Sequence, residues 1–180
     1  MQNCLNYIKI SKGSKILYIC IEYPELIQKF SKAVGKNCEI TIMPRMLKKI
    51  EWNLPTNCRI LENPQKLKTI PDDFFNATIY FYGLEPLVPV TKNFQTLLRE
   101  IRRTLAPNGT LIIYFIDPQK NLISRALLKG LLGVDEIISV NQHDLKQIVT
   151  QYFEDVNITS EKELFLITGV KKTTFSTPKL

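Results

Sequence analysis

The chain has 180 residues, 44% of them hydrophobic and 23% charged, a globular balance that excludes a disordered chain and suffices for one domain with its own core. A formal net charge of +7 admits RNA, anionic lipid or an acidic protein as partner, but it does not bear on fold. No apolar run reaches the roughly 18 residues of a bilayer span, and Met1-Gln2-Asn3-Cys4-Leu5 lacks the charged-then-apolar layout of a signal peptide, so a cytoplasmic protein is expected.

Strand-like and helix-like stretches alternate from Lys15 to Lys172, the pattern of a mainly parallel sheet with helices on both faces. Lys15 to Ile21 is nearly all apolar, as a strand buried on both faces should be, and Pro24 suits the first turn of a helix. In that helix Leu26, Ile27, Phe30 and Val34 share a face, and Gly35 can end it. Cys38 to Ile42 reads as a second strand, followed by Pro44 and a short helix through Ile50. Cys58 to Leu61 fits a third strand, and Ala77 to Tyr82 fits a fourth, introduced by the turn Pro71-Asp72-Asp73 and closed by Gly83.

The longest helix follows, Thr91 to Leu105, with Phe94, Leu97, Leu98, Ile101 and Leu105 inward and Arg99, Arg102 and Arg103 on the outer face. Pro107-Asn108-Gly109 breaks it and begins a fifth strand, Thr110 to Phe115, with helices expected over Leu122 to Leu132 and His143 to Phe153. Asp155 to Thr159 and Leu164 to Lys171, joined by a turn at Ser160-Glu161-Lys162, form a terminal hairpin. The four cysteines, Cys4, Cys20, Cys38 and Cys58, form no C-x-x-C pair and have only His143 as an imidazole companion, so small buried hydrophobes in a reducing compartment are expected and a metal site is not.

Leu98-Arg99-Glu100-Ile101-Arg102-Arg103-Thr104-Leu105-Ala106-Pro107-Asn108-Gly109-Thr110-Leu111-Ile112-Ile113 resembles the helix-turn-strand passage after the fourth strand of class I S-adenosylmethionine-dependent methyltransferases, where Arg-x-Leu-x-Pro-Gly-Gly precedes an apolar strand. There a proline stops the helix and a glycine supplies the positive φ of the reversal. Ile70-Pro71-Asp72-Asp73-Phe74-Phe75-Asn76-Ala77 is similar to the same family's lead into its fourth strand, and Phe153-Glu154-Asp155-Val156 to the opening of its final hairpin. Leu164 to Lys172 also resembles the end of the N-terminal domain of anamorsin, an iron-sulfur assembly protein whose methyltransferase-like domain lacks the cofactor motif; the cysteine-rich cluster-binding region of that family is absent here. The resemblance implies a three-layer α/β sandwich, a doubly wound sheet with an antiparallel C-terminal hairpin. Residues 1–172 are expected to form that domain and 173–180 a flexible tail.

In the family the first strand ends in an acid and enters Gly-x-Gly-x-Gly, where missing side chains let the backbone approach the cofactor. Carried onto this chain, Tyr18 stands at the acidic position and Cys20, Glu22 and Pro24 at the glycines. A carboxylate at Glu22 would face the carboxylate of the cofactor's methionine, and Pro24 removes a backbone donor at a helix N-terminus. The acid that grips the ribose falls near Thr41, and the one facing the adenine near Asn63 or Pro64. At about 1.5–3 kcal/mol for each hydrogen bond to a charged group, the missing anchors leave millimolar binding or none.

Other chemistry finds no support: there is no Gly-x-Ser-x-Gly, no Gly-x-x-x-x-Gly-Lys and no Asp-Pro-Pro-Tyr after the fourth strand. Asp72 and Asp73 read as a solvated turn, and His143 as a surface residue. The expectation is therefore a non-catalytic methyltransferase-like scaffold without cofactor, working through a protein partner or as a homo-oligomer. An alternative is a divergent methyltransferase that binds S-adenosylmethionine in a pocket lined by Cys20, Glu22, Tyr23, Met43, Asn63 and Tyr82 and acts on a small molecule or RNA. A third reading, a nucleic-acid module through Arg99, Arg102 and Arg103 with Lys171, Lys172 and Lys179, competes with an ordinary solvated helix face. Leu122 to Leu132, apolar with two cations, reads as a helix packed on the sheet, with a docking or membrane-surface helix as alternatives.

Overall fold

Apolar side chains that face both ways force a strand into the middle of a sheet, and β1 (Lys15–Cys20) obeys that rule. Ile16 and Tyr18 enter one core cluster and Leu17 and Ile19 the other. The computed structural model describes residues 11–20, 24–44, 53–61, 64–82, 92–116, 142–161 and 164–172. The expected helices after Pro44 and over Leu122 to Leu132 lie outside them, as do Glu22, Tyr23, Asn63, Gly83 and the tail.

After β1 come α1 (Pro24–Val34), β2 (Glu39–Pro44), β3 (Cys58–Ile60), a 3-10 helix (Pro64–Thr69) and β4 (Phe75–Tyr82). The chain continues with α2 (Lys92–Thr104), β5 (Leu105–Ile116), α3 (Gln142–Thr150) and the pair β6 (Glu154–Glu161) and β7 (Leu164–Val170). These strands form one seven-stranded sheet in the order β3-β2-β1-β4-β5-β7-β6. Pairings are parallel from β3 through β5 and antiparallel at β5–β7 and β7–β6. The sandwich and its terminal hairpin are those expected from the residues.

One face of the sheet packs under α1 through Ile27, Phe30 and Val34. The other packs under the 3-10 helix, α2 and α3 through Leu67, Phe94, Leu98, Ile101, Leu145 and Val149. Helix α1 stops at Gly35, whose φ of +86° is open to glycine without strain. The Gly35 N–H caps the Ser31 carbonyl at 3.0 Å. Asn57 then ties this turn to the sheet: its side-chain N–H groups reach the Gly35 and Cys38 carbonyls, and its oxygen accepts from the Ser31 hydroxyl at 2.7 Å.

Several boundaries differ from the sequence reading, and four of them have a local cause or consequence. Helix α2 ends at Thr104, before Pro107 is reached, because its last carbonyls already have partners: Asp73 N–H donates to Arg103 O and Phe74 N–H to Thr104 O. The strand β5 starts at once, and Asn108, not Gly109, takes the positive φ, 61°. Helix α3 stops at Thr150, where N–H groups of Tyr152 and Phe153 turn back onto the Val149 carbonyl. Ser160 and Glu161, expected in the hairpin turn, are strand residues paired with Phe165 and Leu164. Among the described residues no helix is long and apolar enough to cross a membrane.

Candidate functional site

In an open parallel sheet the natural cleft lies where the winding reverses, beyond the carboxyl ends of the two strands on either side. Here that point lies between β1 and β4, with β2 alongside. Cys20 ends β1 beside Pro44, the last residue of β2; Ile19 lies between Met43 and Tyr80; Tyr82 ends β4 beside Phe115 of β5. Of the six residues read as a pocket, Cys20, Met43 and Tyr82 are thus brought to one edge of the sheet. Glu22, Tyr23 and Asn63 lie outside the described residues.

Near this edge the described side chains of Ile19, Met43 and Leu61 are apolar. Met43 is 3% exposed and belongs to the core that holds Ile19, Tyr80 and Phe94. The Tyr80 and Phe94 rings stack with centroids 6.1 Å apart, locking α2 against the end of β4. Leu61, immediately after β3, is buried and donates its N–H to Ile42 O at 2.7 Å.

Tyr18, at the position of the family's first acid, turns into the core beneath α1, its ring stacked on Phe30 at 5.1 Å. Thr41 does not end β2; it is a buried mid-strand residue whose hydroxyl accepts from Arg59 Nε at 2.9 Å. The strand continues to Pro44, which has neither a side-chain polar atom nor an N–H. Ribose and adenine need charged or strongly accepting groups at the ends of β2 and β3. Among the described residues Met43 and Pro44 at the end of β2 and Leu61 after β3 supply no such side chain.

The connection from β1 to α1 is three residues, 21–23, running from Cys20 into Pro24 as the first residue of the helix. A proline in that place costs the helix nothing, because the first N–H groups lack intrahelical partners. It does remove one of the donors with which a helix N-terminus holds an anion.

A network of ion pairs is gathered at the opposite ends of the strands. The Arg103 guanidinium donates to Asp72, to Glu100, and to the carbonyls of Ile70 at 2.8 Å and Leu67 at 2.9 Å. Its hydrogen bond to Asp72 leads the causes that raise its pKa further above the ordinary guanidinium range. Lys171 Nζ reaches Asp73 at 2.6 Å and the Leu105 carbonyl at 2.7 Å, and Lys172 pairs with Glu154 and Asp155.

Arg103, Lys171 and Lys172 therefore close the base of the fold and are occupied by their own chain, whereas Arg99 is exposed. Asp72 and Asp73 do form an exposed turn, as expected, and each also receives a cation. Sequence reading missed this network because its acceptors include main-chain carbonyls more than thirty positions away. His143 is exposed at the start of α3, within 2.9 Å of Gln147. Among the described residues no group of three or more His, Cys, Asp or Glu side chains is placed to hold a metal ion.

No protein-family model and no curated protein matches the chain. Solved structures do. A SAM-dependent methyltransferase from Aquifex aeolicus superposes with a TM-score of 0.66 at 12% identity, over 94% of this chain and 88% of that one. The cyclase SpnF gives 0.69 at 12% identity, over 96% and 80% of the two chains. The complex between the Haloferax volcanii Trm112 methyltransferase activator and a methyltransferase gives 0.66 at 8% identity, over 97% and 89%. At such identities the likeness shows the fold, that of the methyltransferase-like Rossmann sandwich.

Proposed function

We propose that this chain is a non-catalytic methyltransferase-like scaffold that has lost S-adenosylmethionine binding and presents its surface to a protein partner or a second copy of itself. One observation carries the reading: the three-residue connection between Cys20 and Pro24 has Glu22 at its centre, where the family places glycine. In the sequence Cys20, Glu22 and Pro24 replace the glycines that allow close backbone approach, and Glu22 brings a carboxylate to the position expected to meet another. The apolar Met43, Pro44 and Leu61 support it, since among the described residues they offer ribose and adenine no charged partner. The structure containing an activator protein supports the partner, as a protein of this fold that assembles with another chain.

The competing reading is a divergent methyltransferase acting on a small molecule or RNA, favoured by neighbours named as SAM-dependent methyltransferases. Thermal unfolding separates the two. A ligand at one hundred times its dissociation constant stabilises the native state by about 2.7 kcal/mol. With S-adenosylmethionine at roughly a hundredfold excess over a micromolar-range dissociation constant, the scaffold reading expects no change in melting temperature, and a rise of several degrees sinks it.

A further inference from the structure

The strand β6 closes the sheet at one side, and among the described residues it pairs only with β7. An edge strand offers a row of unmatched N–H and C=O groups and is normally blunted by charge, proline or a bulge. Here the protection is uneven. The first half carries Glu154 and Asp155, both paired with Lys172, and a register shift between Glu154 and Asn157 with Asp155 at a φ of 51°. The second half, Asn157-Ile158-Thr159-Ser160, is regular, uncharged and without proline, and Asn157, Thr159 and Ser160 are exposed. Beside it on one face, Ile148, Tyr152, Val156 and Ile158 are half-buried apolar residues at the margin of the core.

We propose that β6 pairs antiparallel with β6 of a second copy of this chain, about a twofold axis at Thr159, extending the sheet across both molecules. The register follows from the strand itself. A twofold axis perpendicular to the sheet keeps side chains on their own face, so it must pass through a residue, and the bulge limits pairing to Asn157–Glu161. Centring on Thr159 uses all five of those residues. Thr159 meets Thr159, Ile158 meets Ser160, and Asn157 meets Glu161, so no like charges are opposed.

Centring one residue earlier places Asp155 opposite Glu161, two carboxylates, and draws the bulge into the ladder. In the Thr159 register Ile158 of each copy is the diagonal neighbour of the other, so the apolar margins of the two cores join on one face. The inference deepens the scaffold reading by naming its partner and surface, and its test is independent of whether a cofactor binds.

Sedimentation equilibrium of the full chain should give a mass of twice 20.8 kDa at high micromolar concentration. Thr159→Lys and Thr159→Glu, changes at an exposed position, should each weaken dimerisation about fivefold or more by setting like charges face to face. An equal mixture of the two variants should recover it, while far-ultraviolet circular dichroism confirms that each folds. A monomeric wild type, including one whose β6 is covered by another segment or taken by a different protein, overturns the proposal. So does a dimer indifferent to both substitutions, or one that mixing fails to restore.

Discussion

Thr78 lies mid-strand in β4, fully buried between Leu17 and Leu111, and its hydroxyl has no partner among the described residues. A buried hydroxyl without a hydrogen bond costs about 1–3 kcal/mol relative to an apolar group of the same shape. Thr78→Val should therefore leave stability unchanged or raise it by up to about 1 kcal/mol in urea unfolding. A marked loss would mean that the hydroxyl has a bond in solution.

Arg103 behaves oppositely. Its Asp72 partner is 71% exposed and contributes little. The carbonyls of Leu67 and Ile70 would lose donors, so Arg103→Ala should destabilise by about 1–3 kcal/mol. Unchanged stability would return Arg103 to the list of free surface cations. Cys38 adds a pH dependence. Burial raises its thiol pKa in the native state, so the contribution is fully present below the ordinary thiol value of about 8.5 and is lost as pH rises through the raised one. The stability advantage of wild type over Cys38→Ala should shrink between pH 7 and pH 10, and a constant difference contradicts the assignment.

At the level of elements, legibility followed the clarity of each apolar pattern. The strand β1 and helix α1 were readable almost to the residue, because an unbroken apolar run and a Pro-to-Gly frame leave few alternatives. The 3-10 helix was not, since among its described side chains only Leu67 enters the core. The start of β5 was misplaced because Pro107-Asn108-Gly109 reads as a stop, whereas the strand passes through it as an irregularity: Asn76 of β4 faces the four residues from Ala106 to Gly109. Gly109 is required there by close approach. A Cβ would stand 2.7 Å from Ala106 O and 3.2 Å from Asn76 O. Gly109→Ala should cost about 1–3 kcal/mol in chemical denaturation by forcing the two strands apart. A neutral effect would show that the bulge relaxes freely.

For the whole molecule, the topology placed the cleft, and the residues at its rim determine what it can hold. Cys20, Met43 and Tyr82 stand at the same ends of β1, β2 and β4 through the register of the strands. That Tyr18 turns under α1 and that Thr41 lies two residues short of Met43 was not legible in the sequence, because a family pattern aligns positions without fixing where a strand ends. Basic residues that looked like a binding face on the linear chain proved in part to seal the base of the fold. What remains is a methyltransferase-like sheet whose cleft, among the described residues, has an apolar edge.

Calorimetric titration of the full chain with S-adenosylmethionine, and separately with its demethylated product, tests that account most directly. Exclusion at the connection from Cys20 to Pro24 predicts no saturable heat for either compound in the micromolar range. A saturating isotherm with a micromolar dissociation constant and a stoichiometry near one would contradict it.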